Sequence, residues 1–169
     1  MFFIRRTKSL QESIPQIVYG GVDGTISTFA VVAGAFGGGL EVSSIFILGV
    51  ASLVADGFSM AVGSFFAAES SKSKHPKAIG LRTFLSFVLL GSILLLPYLF
   101  SVLGLDASSG SLFTAALVLA VLTFAFIGAL KSHVEGSTKI RGAFEVVVLG
   151  VIAAIIAYAL GDFLEKLIS

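Results

Sequence analysis

Three carboxylates stand inside long apolar stretches of this sequence: Asp23, Asp56 and Glu145. An Asp at the centre of a membrane helix costs about 2.5–3.5 kcal/mol to insert. A chain with 10 acidic residues that places three of them there is expected to use them for an ion or proton path, or for a buried pair. Asp23 and Asp56 are read as functional, against the structural alternative of a hydrogen bond to a neighbouring helix. Glu145 lies near the start of its stretch, from which it can reach the interface or pair with Lys139 or Arg141. Glu69 falls at a membrane edge and is read as solvated.

Spacing adds partners to two of these acids. Met60 follows Asp56 by four residues and so projects from the same helical face about one turn on, with Ser52, Ser59 and Gly63 on or beside that face. Ser27 follows Asp23 by four, and Gly20, Gly24 and Thr28 form a ridge of small residues that would let another helix approach closely. The Asp23 and Asp56 faces are expected to meet. A carboxylate beside a thioether suits a divalent transition metal, since the soft sulfur disfavours Mg²⁺ and Ca²⁺ relative to Fe²⁺ or Mn²⁺. The bland reading of a lone methionine is core packing. His75 and His133 fall in loops without a helical ligand partner and are read as solvated.

The elements that must position these side chains follow from composition. Of 169 residues 56% are hydrophobic and only 12% charged, about half the charge a soluble surface of this size needs. With a mean hydropathy of +1.04 the apolar excess must face lipid. Five apolar stretches are long enough to span a bilayer: 17–38, 44–68, 81–103, 111–130 and 143–164. Pro97, inside the third, predicts a kink with a freed carbonyl. The fold class is therefore all-α, a single polytopic membrane domain over residues 1–169 in which successive spans are antiparallel neighbours.

Basic residues set the orientation. Arg5, Arg6 and Lys8 precede the first span, Lys72, Lys74, Lys77 and Arg82 join the second to the third, and Lys131, Lys139 and Arg141 join the fourth to the fifth. All ten fall on one side against Lys166 on the other, which predicts a cytoplasmic N-terminus and an external C-terminus. The first stretch is read as a span and not a cleaved signal peptide, because it is too long for a signal core and carries Asp23.

Several chemistries are excluded or disfavoured. With no cysteine there is no disulfide, thiolate metal site or cysteine nucleophile. The cluster Gly34, Gly37, Gly38, Gly39 ends a span without the Lys-Ser/Thr of a phosphate loop. No Glu-x-x-His pair and no Ser-His-Asp set is evident, so catalysis has no candidate residues and no cofactor is expected. A net charge of +1 gives no field for nucleic acid.

The residues Tyr19-Gly20-Gly21-Val22-Asp23-Gly24-Thr25 and Ala55-Asp56-Gly57-Phe58-Ser59-Met60-Ala61-Val62-Gly63 together resemble the vacuolar iron transporter family. The likeness continues through Leu96-Pro97-Tyr98, Gly128-Ala129-Leu130-Lys131, Gly142-Ala143-Phe144-Glu145, Gly150, Ala153-Ala154 and Tyr158, and so covers nearly the whole chain. The resemblance implies a five-span homodimer that moves Fe²⁺, and often Mn²⁺, out of the cytosol in exchange for protons, along a pathway between two subunits. It implies that Asp23 and Met60 line that pathway. Asp56 would be a second carboxylate, for metal or for the counter-moving proton. Two departures stand out. Iron-transporting plant members carry a cytoplasmic helical domain rich in Glu and Met between spans two and three, where this chain has only residues 69–80. Ser52 occupies a place where other members carry a carboxylate, one turn before Asp56.

The expected partners are thus a divalent metal ion, protons, the bilayer and a second copy of the chain. The short loops point to a prokaryotic cell membrane. The competing readings are a non-transporting assembly or sensor subunit, in which acids and small residues only hold helices together, and a transporter of a different substrate.

Overall fold

The computed structural model describes residues 14–135 and 138–169. Arg5, Arg6 and Lys8 and the side chains of His133 and Lys139 lie outside what is described. The helices are α1 (Ile14–Gly37), α2 (Val42–Ser70), α3 (Pro76–Ser92), α4 (Leu96–Val102), α5 (Ser109–Glu135) and α6 (Lys139–Ile168). No strand occurs among the described residues. A 3₁₀ turn, Ile93–Leu95, joins α3 to α4, and these three pieces make one span, Pro76–Val102. Among the described residues five helical segments are long and apolar enough to cross a membrane, as the hydropathy predicts.

Each helix runs a few residues beyond its apolar stretch, because the backbone keeps its internal hydrogen bonds until a stop signal intervenes. Pro15 and Pro76 sit in first turns, where a missing N–H costs nothing. The turn after α2 closes with Lys72 in the left-handed region at φ 56°. There the Lys72 N–H donates to the Glu69 carbonyl and the Ser73 N–H to the Ala68 carbonyl.

The break predicted at Pro97 takes the form of a 3₁₀ turn, and the carbonyl is not freed. Pro97 cannot donate to Ile93, four residues back; the chain tightens into the 3₁₀ turn and the Leu96 N–H takes the Ile93 carbonyl instead. Tyr98 follows directly and is wholly buried with Val32, Ile45, Leu53 and Phe87.

The centre of the bundle is α1, which packs most heavily against α3 and α6. Within the most apolar stretch of each span, 44% of α1 is buried against 11% of α6, so α6 presents most of its surface outward. Helices in lipid gain nothing from hiding apolar surface, and close approach through small residues supplies the contact energy instead. A Cβ on Gly20 would lie 2.6 Å from the Thr83 carbonyl oxygen, and one on Gly91 would lie 2.8 Å from both the Gly24 oxygen and Thr28 Oγ1. The Gly20, Gly24, Thr28 ridge is therefore filled by α3 of the same chain. It gives no independent support for a second subunit. Ser86 Oγ adds a bond to the Ile17 carbonyl at 2.5 Å across the same crossing.

Candidate functional site

The candidate residues of α1 and α2 lie at matching depths. These helices are antiparallel, and Asp23 lies nine residues into α1 while Met60 lies ten before the end of α2. At 1.5 Å per residue both are about 14 Å from the same end of the bundle, and Asp56 is one turn deeper. The Asp23 and Asp56 side chains are near enough to feel each other's charge. Both are exposed on the surface of the chain, an unusual place for carboxylates in an apolar bundle.

Ser52 has a defined role in this arrangement. Its hydroxyl donates to Asp56 Oδ2 at 2.6 Å, one turn away on α2. This short, charge-assisted bond selects one orientation of the carboxylate and leaves Oδ1 for a cation or a proton. Ser27 behaves differently: its hydroxyl donates to the Asp23 backbone carbonyl at 2.7 Å and does not engage the carboxylate, the usual back-bond of a helical serine. Met60 is half-buried and packs against the cluster that holds Leu53 and Phe87.

Glu145 belongs to a separate cluster. Lys131 Nζ of α5 donates to Oε2 at 2.7 Å, and Arg141 Nε, one turn back on α6, donates to Oε1 at 3.1 Å. The Arg141 partner was legible from the i,i+4 spacing. Lys131 was missed, although its place at the end of the antiparallel helix joined to α6 by a short turn was the available signal. Both Glu145 oxygens thus face cations and tie α5 to α6, where Gly128 and Gly142 bring the two backbones together. Glu69 is exposed in the last turn of α2 and contributes its backbone carbonyl to the helix end.

Among the described residues no group of three or more His, Asp and Glu side chains comes together within one chain. Asp23 and Lys131 do share a hollow of about 480 Å³ between α1, α5 and α6, walled by Tyr19, Val22, Val146 and Leu149. What one chain offers a cation is therefore two neighbouring carboxylates, one of them held by a serine, with Met60 at the same level.

A sequence profile of the VIT family matches residues 14–79 and 68–162. The two stretches overlap across the α2–α3 turn. A vacuolar iron transporter from Toxoplasma gondii (strain ATCC 50861 / VEG) is 35% identical over 66 residues, which make up 39% of this chain. The matched part spans about 22% of that relative's length. That relative gives the expected prokaryotic cell membrane no support; the five apolar helices and the family do make this an integral, multi-pass membrane protein. With the profile running from the first turn of α1 almost to the end of α6, and the Asp23 and Asp56 motifs within it, the chain belongs to the VIT family.

Proposed function

We propose that this chain is a transporter that moves Fe²⁺, Mn²⁺ or both out of the cytosol in exchange for protons, working as a homodimer with its N-terminus cytoplasmic. The observation that carries the reading is the pair of neighbouring carboxylates, Asp23 and Asp56, exposed on an otherwise apolar face with Ser52 orienting the second. Two acids cost several kcal/mol in lipid and are retained where charge must pass. A two-fold axis beside them would present each acid and Met60 twice, enough donors for one divalent ion where the described residues of one chain gather no three-residue cluster. The soft sulfur favours Fe²⁺ and Mn²⁺ over Mg²⁺ and Ca²⁺.

Proton exchange follows from the chemistry of the ligands. A carboxylate binds metal only when deprotonated, so ion and proton compete for the same oxygens. Alternating exposure of that site to the two sides then moves them in opposite directions. Membership of the VIT family and the likeness to a protein named as a vacuolar iron transporter support the cargo class.

The test is uptake of Fe²⁺ and Mn²⁺ into proteoliposomes under an imposed proton gradient, with Asp23→Ala and Met60→Ala variants that remain folded. Gradient-dependent flux, lost in both variants, is expected. Absence of flux for either ion, or normal flux in both folded variants, would move the assignment to an assembly role or another cargo.

A further inference from the structure

The two flanks of α2 differ in chemistry. Successive residues turn about 100° round a helix axis, which puts Ser52 and Met60 within about 40° of Asp56. Phe58, Val62 and Phe65 stand about 120–180° away, on the other flank. There, with Leu81 and Phe84 of α3, they wall a hollow of about 370 Å³ between the two helices. Its floor is the close crossing at Gly80, where a Cβ would lie 2.8 Å from the Ala61 carbonyl oxygen. Phe58 is 65% exposed, so the hollow is open sideways along the membrane-spanning length of both helices.

Lys77, in the first turn of α3, is the charged residue of this otherwise apolar lining among the described residues. It is exposed and enters no ion pair among them. A lysine at the end of a membrane helix lays its stem along apolar surface and keeps its ammonium at the headgroup layer. The surroundings reinforce its sign. Residues 69–82 carry Lys72, Lys74, Lys77 and Arg82 against Glu69, and the positive end of the α3 dipole has no acid in its first turn. Residues 1–13, outside the described part, carry three bases and one acid.

We infer that the groove between α2 and α3 holds one anionic phospholipid, with an acyl chain against Phe58, Phe65 and Phe84 and its phosphate at Lys77. An apolar wall topped by an unpaired cation matches both halves of that molecule, as basic pockets between membrane helices do. A neutral lipid would fill the wall and leave the cation unanswered. A second copy docked through the same face would set Lys77 against Lys77. The lipid backs the helix whose opposite flank carries Asp56 and Met60, and its binding does not depend on what the chain transports.

The sequence contains no tryptophan, so one introduced indole reports its own surroundings. Phe84→Trp places it in the groove. Phe126→Trp places it on α5, at a residue 57% exposed and likewise about 12–14 Å from the basic end of its helix. Each protein is reconstituted in phosphatidylcholine vesicles containing increasing fractions of phosphatidylglycerol or phosphatidylcholine with brominated acyl chains, which quench the indole on contact. The Phe84→Trp protein is expected to prefer phosphatidylglycerol about fivefold, and the Phe126→Trp protein less than about twofold. In the Phe84→Trp background, Lys77→Gln should abolish the preference, Lys77→Arg should keep it, and Lys74→Gln, outside the groove, should leave it unchanged. Equal quenching by the two lipids, or a preference that survives Lys77→Gln, would overturn the site. Absence of quenching by either lipid would also overturn it, since another part of the protein or a second copy then covers the groove. Phe58→Trp, on the facing wall, gives the same readings should Phe84→Trp not fold.

Discussion

Replacing Ser52 by alanine removes one atom that matters, the hydroxyl oxygen 2.6 Å from Asp56 Oδ2. A hydrogen bond to a charged group contributes about 1.5–3 kcal/mol, and the exposure of Asp56 on the chain surface puts this one at the lower end. Freed from Ser52, the carboxylate also regains its other staggered χ1 wells, which costs binding about 0.6 kcal/mol of orientation entropy. The bond itself is present with and without metal and cancels from Kd, so the net loss of affinity is this orientation term of about 0.6 kcal/mol, or roughly threefold in Kd. Mn²⁺ titration of detergent-purified protein by calorimetry, at fixed pH, measures it. Ser52→Thr keeps the hydroxyl and is expected to bind within about twofold of the parent. Asp56→Asn, which removes the charge itself, should be weaker than Ser52→Ala. Unchanged affinity in Ser52→Ala, or a threonine variant as weak as the alanine variant, would refute the positioning role and leave the bond as a local helix feature.

Further outcomes follow from other parts of the structure. Metal affinity should rise with pH, because carboxylate ligands bind a cation only when deprotonated, with proton release on Mn²⁺ binding visible as a dependence of the calorimetric heat on buffer ionisation enthalpy. Glu145→Gln should leave flux within about twofold of the parent while lowering thermal stability, because both Glu145 oxygens face cations that tie α5 to α6. A Cβ on Gly24 would lie 2.8 Å from Phe87 Cα, so Gly24→Ala should destabilise by about 1–3 kcal/mol in a detergent melting assay. Gly63, with nothing within 4 Å of the added methyl, should tolerate the same change. Lys72→Gly should stabilise by about 1 kcal/mol in the same assay, since it relieves a side chain held at φ 56°.

The features legible in the sequence are those set within a single helix. Span number and placement follow from bilayer thickness and hydropathy, and α1, α2 and α5 begin or end within a few residues of their apolar limits. The Ser52–Asp56 and Arg141–Glu145 pairs were readable in principle because four residues make one turn whatever surrounds the helix. Pro97 likewise announced a break, although the way the 3₁₀ turn reclaims the Ile93 carbonyl was not visible.

Contacts between helices were decided only by the tertiary structure. The Gly20, Gly24, Thr28 ridge announces that something packs closely, but not whether it is α3 or a second chain; the Thr83 carbonyl and the Phe87 backbone settle it. The approach of Asp23 to Asp56 and the reach of Lys131 to Glu145 join residues that are distant in sequence or fall on different helices. In lipid every apolar face is equally at ease against a neighbour or an acyl chain, so hydropathy carries no information about pairing. Which faces meet depends on the joint shape of two helix surfaces, and that shape exists only once both are placed.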